Sequence, residues 1–413
     1  MQFDSKFWLK FSLINLFLVA SLGLLMRYKI GFEFPFLDQK HLQHSHSHFA
    51  FSGWITHTLM VLMVVFLEKK IKITENRFFK KYNFLLTTNL ICAYGMLVFF
   101  IIQGYGAFSI IFSTLSIVVA CFFAYYFIKD LKTISNDDLS KNWFKASLFF
   151  NVISSLGTFV LAYMMVTKNI HQEEYLASIY YYLHFQYNGW FFFACMGLLF
   201  HFLQLKKDEH PFFAASFKLF FIACIPAYCL STLWLDLPIW LYVLTVMAAF
   251  LQTFAWFKLL LILIKTKLNI LENYPYFLRY ILLFVGFALS VKFLLQLGST
   301  IPAISQLAFG FRPIVIAYLH LVLLAVISLF LLFYIYVNHF FFITKPIKFG
   351  VILFSVGVLL NEIVLAIQGI ASFSYTIIPL ANELLFGIAI LLVIGIGITT
   401  FYSLKKVKKH LAL

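Results

Sequence analysis

Charge is scarce in this chain. Of its 413 residues, 11% are Asp, Glu, Lys or Arg, where average soluble proteins carry about 25%. Acidic residues are the scarcest, 16 beside 31 Lys and Arg. So little charge excludes an ordinary soluble domain. It excludes a disordered chain too, because disorder needs low hydrophobicity and high net charge. Cysteine is also sparse: Cys92, Cys121, Cys195, Cys224 and Cys229, with no CxxC or CxxCH spacing. That argues against disulfides, c-type haem attachment and cysteine-ligated zinc. The first apolar run lacks a small-residue cleavage site, so it reads as a retained span and not as a signal peptide.

What fills the chain instead is hydrophobic residues, 63% of the total. A spanning helix needs about 20 mostly apolar residues. Twelve such runs occur, near 8–26, 47–67, 83–104, 106–128, 144–166, 176–204, 211–232, 237–264, 276–297, 313–337, 347–368 and 379–402. Their length indicates helices, since barrel strands are short and weakly alternating. The fold expected is an all-α polytopic membrane protein in a lipid bilayer. The net charge of +15 would suggest nucleic acid in a soluble protein. Here its placement excludes that reading. Lys6 and Lys10, the loop residues Lys69, Lys70, Lys72, Arg77, Lys80 and Lys81, and the tail residues Lys405, Lys406, Lys408 and Lys409 alternate with loops holding Arg27, Lys29, Lys40, Lys168 and Arg312. The positive-inside rule puts both termini in the cytoplasm, and the even number of runs agrees. The membrane expected is the bacterial cytoplasmic (inner) membrane.

An internal repeat organises the runs. Residues 48–54 read HFAFSGW and residues 184–190 read HFQYNGW, 136 residues apart. A further step of 136 lands on His320, in YLHLVLLA. ICAY at 91–94 matches IPAY at 225–228, and QGYGAFS at 103–109 matches QGIASFS at 368–374, at nearly one and two periods. One period holds four runs. The chain therefore reads as a single membrane domain of three parallel four-helix repeats, approximately 1–136, 137–272 and 273–413, around a pseudo-threefold axis. An even number of spans per unit gives the repeats one orientation.

Histidine inside a membrane span is costly and usually functional, and neutral imidazole ligates haem iron, copper and zinc. His48, His184 and His320 stand at equivalent positions near the outer side. The alternative is hydrogen-bonded packing. The tract HLQHSHSH places His41, His44, His46 and His48 at the outer entry of the second run. A two-residue step turns a helix by about 200°, so His46 and His48 face opposite ways and suit two different sites. The alternative is an exposed, frayed segment that binds copper or zinc adventitiously. His57 lies about 13 Å deeper than His48 and reads as a second ligand, a relay or a packed core group. His201, His210, His339 and His410 read as interfacial. Lys292 and Glu362 are candidates for an intramembrane ion pair. Arg312 begins the tenth run, and the plain reading for it is a snorkelling interfacial arginine.

Twelve runs in three arcs, with histidines on the second, sixth and tenth, resemble subunit I of the haem–copper oxidase superfamily. Nitric oxide reductases belong to that superfamily, and NnrS-type nitric-oxide-stress proteins look similar. HSHFAFSG at 46–53 is similar to the H-x-H-x-x-x-x-G string of the reductases. The resemblance implies low-spin haem b clasped by His48, or by His46, together with His320. It implies a propionate partner in Arg312 and a non-haem metal, copper or another, at His184. His44, His46 and His57 are further candidate metal ligands. Three departures stand beside it. Residues 211–232 contain no histidine, Tyr318 takes the place of a second tenth-run ligand, and Asn188 stands where the family has Tyr or Glu. These argue against a proton-pumping terminal oxidase. The implied function is electron transfer, or the handling or sensing of nitric oxide or oxygen, with a cytochrome or other electron donor as partner. As an enzyme, the protein would be a haem-dependent oxidoreductase. The alternative is a metal or haem transporter or assembly factor with an outer His-rich capture site. A third reading is a structural subunit whose histidines only pack.

Overall fold

The computed structural model describes residues 3–71, 76–305 and 311–405. Lys72, the Arg77 side chain, Lys406, Lys408, Lys409 and His410 lie outside the described residues. Helix makes up 84% of the structure, and the described residues contain no strand. The cause is the solvent: in a bilayer every backbone N–H and C=O must be paired within protein, which a helix achieves alone.

The helices are α1 (Ser5–Gly31), α2 (Gln39–Lys70), α3 (Asn76–Gln103), α4 (Ala107–Leu131), α5 (Ser140–Thr167), α6 (172–202), α7 (Phe212–Cys224), α8 (Ile239–Lys267), α9 (Tyr276–Gly298), α10 (Arg312–Val337), α11 (Lys345–Phe373) and α12 (Ala381–Leu404). Ten of them, α1 to α5 and α8 to α12, are long and apolar enough to cross a membrane. α7 bends by 46° into a 3₁₀ turn, Pro226–Thr232, and the pair would make an eleventh. The run expected at 176–204 is helical but is not among the ten, because Gln186, Tyr187 and Asn188 lower its hydropathy. The chain is a multi-pass membrane protein.

Packing divides the chain into two compact units. One comprises Met1–Phe127, Tyr276–Ile281 and Ser328–Leu413, and the other Ile128–Pro275 and Leu282–Ile327. In the first unit α12 packs along α1 and α11, and α2 packs on both α1 and α3. At the α11–α12 contact a Cβ on Gly395 would stand 2.6 Å from the Phe354 nitrogen, so glycine permits the close backbone approach. The C-terminal part of α2 is buried without a break from His57 to Leu67, which is why its hydrophobic residues run all round the helix. Lys29 donates to the Phe34 carbonyl at 2.6 Å and to the Leu37 carbonyl, holding the α1–α2 loop. In the second unit α5 packs on α6 and α7 on α8. Ala223, Ala227, Leu230 and Leu233 meet Ala248 and Ala249 there.

Among the described residues, three helices carry a π-helical stretch: Ala50–Thr56 in α2, Phe185–Phe191 in α6 and Leu321–Ser328 in α10. Each begins within two residues of His48, His184 or His320. A π stretch swaps the usual pairing for i→i+5 bonds, and one extra residue in a turn rotates the remainder of the helix by about 100°. In α2, side chains from neighbouring helices donate to the carbonyls of this stretch. Asn15, fully buried, donates Nδ2 to the Gly53 carbonyl at 2.6 Å, and Asn89 donates to the Ser52 carbonyl at 3.3 Å. Asn15 is held in turn by the Tyr94 hydroxyl, 2.7 Å from its Oδ1. Asn15→Leu should remove that clamp, at a cost of about 1–3 kcal/mol for the buried groups left unpaired. The melting temperature of detergent-purified protein should fall accordingly, and an unchanged melting temperature would show that the clamp holds nothing.

Candidate functional site

The His-rich tract is ordered helix from its first turn. Asp38 caps α2, its carboxylate accepting from the His41 backbone N–H at 2.9 Å and the Lys40 N–H at 2.8 Å. These bonds, the one from His41 foremost, hold the Asp38 carboxyl below the usual carboxylate range. The cap is therefore complete above the ordinary carboxylate pKa and is lost as pH falls through the lower folded value. The hydrogen-exchange protection factors of the Lys40 and His41 amides, taken against the intrinsic rate at each pH, should fall on acidification through that range, and Asp38→Ala should show the low protection at every pH.

The spacing of His41, His44 and His48 sets them on one face of α2, toward α3 and the α3–α4 turn. His41 Nδ1 lies 3.3 Å from the Ile101 carbonyl. His44 meets the Tyr105 ring edge-on at 4.6 Å. His48 stacks on Phe100, with centroids 4.3 Å apart and planes at 17°, and its Nε2 lies 3.1 Å from the Tyr105 hydroxyl. His46 lies against α1, its ring 3.5 Å from where a Gly23 Cβ would be. His46 and His48 thus serve different helix contacts, as their spacing predicts. His57 is 0% exposed, has Trp8 edge-on at 5.8 Å, and has no hydrogen-bond partner at either ring nitrogen.

In the second unit His184 is 1% exposed and fully engaged. Asn188 donates Nδ2 to His184 Nδ1 at 3.1 Å, and His184 Nε2 lies 2.9 Å from the Cys224 carbonyl. A carbonyl can only accept, so the proton sits on Nε2. The Cys224 thiol donates to the Asn188 carbonyl at 3.7 Å, closing a ring of contacts. Tyr318 faces Asn188 and lies 6.1 Å from the Tyr187 ring. Lys292, 3% exposed, approaches the same group, with its ammonium 3.9 Å from the Phe293 ring centre and 5.6 Å from that of Phe192. His320 is half-buried at the end of the first part of α10, and its Nδ1 donates to the Ile316 carbonyl at 2.9 Å. Arg312 is exposed at the start of α10.

His41, His44 and His48 gather around Tyr105 in the first unit with His46 and His57 elsewhere, while His184 and His320 belong to the second. Lys292 and Glu362 fall in different units, and Glu362 accepts from Asn361 Nδ2 at 3.2 Å. His210 Nδ1 accepts from the Phe212 N–H at 3.0 Å, a local turn contact. Among the described residues no three His, Cys, Asp or Glu side chains come together as a metal-binding group. Sequence reasoning missed Tyr105 and Phe100 beside His48 and the Cys224 carbonyl beside His184. The QGYGAFS repeat match at 103–109 contains Tyr105 and was the available signal for it.

No protein-family model matches the chain, and no curated protein matches it. The geometry around His184 assigns its ring proton. In protein with ¹⁵N-labelled histidine, its signal should show a protonated Nε2 and a bare Nδ1. Asn188→Leu should remove the hydrogen bond to Nδ1 and shift that nitrogen's resonance; an unmoved resonance would contradict the contact.

Proposed function

We propose that this membrane protein binds b-type haem, with His48 and His320 as iron ligands. His46 is the alternative to His48, and Arg312 is a candidate propionate partner. The reading extends to a haem–copper-oxidase-like arrangement of twelve spans in three repeats, in the bacterial inner membrane with both termini cytoplasmic. The observation that carries it is the π stretch just after each of the three periodic histidines. Such stretches concentrate at functional sites, and here they recur with the 136-residue period of the histidines themselves.

The donor chemistry fits. The Nδ1–H of His320 is given to the Ile316 carbonyl, the kind of contact that orients metal-bound imidazoles. His48 has an aromatic wall in Phe100, and the Tyr105 hydroxyl would yield its place at Nε2 to iron. Haem bound there would supply one-electron transfer or a gas-binding iron. Of the chain's own residues, Phe100 stacks on the His48 plane and the Ile316 carbonyl orients the His320 ring. His184 is less suited to a metal, since a ligand role would displace the Cys224 carbonyl. A second metal such as copper therefore has weaker support than haem. The task proposed is electron transfer, or nitric oxide or oxygen handling, supplied by a cytochrome or another donor.

Protein purified from haem-replete cells should show a Soret peak and a sharp reduced α-band. His320→Ala should abolish that bis-histidine signature, while His184→Ala should leave it in place. A folded, colourless protein would refute the proposal.

A further inference from the structure

His57 has a different status from the periodic histidines. One and two periods on from it stand Phe193 and Leu329, both buried and apolar, so His57 is no relic of the repeat. It occupies a fully buried position that the chain elsewhere fills with hydrocarbon. Neither ring nitrogen meets a partner in hydrogen-bond geometry, and the Trp8 backbone is the one group placed to take the ring proton, which leaves the other nitrogen open. Buried polar atoms are nearly always paired, so a bare imidazole at this depth points to a ligand.

The surroundings restrict what that ligand is. On the same helix Met60 comes at i+3 and Met63 at i+6, both 0% exposed. Residues three apart on a helix are side-by-side neighbours, with Cβ atoms about 5–6 Å apart. No group of three His, Cys, Asp or Glu encloses a metal among the described residues, so ions that need several hard or anionic ligands have no donors here. An imidazole beside a thioether, both fully buried, is a soft and neutral donor pair. Copper in its monovalent state prefers such donors, and with a single charge it is the least costly transition-metal ion to bury.

We infer that His57 and Met60 form a buried Cu(I) site in α2, independent of the proposed haem. Met63, one step further along the row, lies too far from His57 to share the same ion, since six residues rise about 9 Å.

The test uses the full-length protein in detergent, loaded anaerobically with copper sulfate reduced by ascorbate and competed with bicinchoninate. Wild type should retain one Cu(I) whose X-ray absorption spectrum shows both nitrogen and sulfur neighbours. Met60→Leu, which conserves volume, should lose the sulfur signal and weaken binding at least tenfold, while Met63→Leu should keep both. His57→Gln should also weaken binding at least tenfold with its helical circular dichroism retained, and His57→Phe serves if the glutamine variant does not fold. Copper seen with nitrogen neighbours alone would assign the metal to the outer histidine tract and overturn the inference. So would wild type that takes up no copper, or Met60→Leu that binds as wild type does.

Discussion

The hydrogen-bonding demand of a backbone in hydrocarbon governs this structure. A regular helix meets that demand within itself, and most of the chain does so. Among the described residues the helix shifts to i→i+5 pairing at three places, and at two of them side chains of other segments serve the carbonyls there. Asn15 and Asn89 do this for α2, and the Cys224 thiol does it for α6. The polar residues of these helices are thus placed by the distortions, and the distortions sit beside the histidines.

A second regularity concerns the histidines' protons. His41, His184 and His320 each direct one nitrogen at a main-chain carbonyl, of Ile101, Cys224 and Ile316 respectively. A carbonyl accepts only, so each contact fixes which ring nitrogen carries the proton. Lysines are accommodated differently, over aromatic faces. Lys292 over Phe293 is the deepest case, and Lys81 over Phe78 and Tyr82 and Lys258 over Phe212 repeat it nearer the helix ends. The ring quadrupole stands in for a carboxylate, in a chain with few carboxylates to spare.

Much of the helical layout was legible from hydropathy, because a membrane demands long apolar runs. The motif HFxxxGW was legible as well, and its two tryptophans, Trp54 and Trp190, are both fully buried. The π stretches were not, since i→i+5 pairing leaves no mark on composition. The status of α6 and α7 was blurred for a related reason: Gln186, Tyr187, Asn188 and Pro226 break the apolar pattern where the local geometry departs from a plain helix. Asn15 and Asn89 were overlooked, although an asparagine within a span is itself a signal. The partnership of His48 with Tyr105 joins residues far apart in sequence through the fold of the α3–α4 turn, and nothing local to either residue announces it.

Gly104 lies in that turn, with a left-handed φ of +58°. A Cβ there would stand 2.5 Å from His41 Nε2. Two requirements, one on backbone conformation and one on space, therefore fall on a single atomless side chain. The turn and the histidine tract consequently cannot drift apart over generations. A bulkier residue at 104 would need His41 to give way, and loss of His41 would lift the requirement on space while the left-handed φ still favoured glycine. The histidine tract and the QGYG turn should change as one heritable unit.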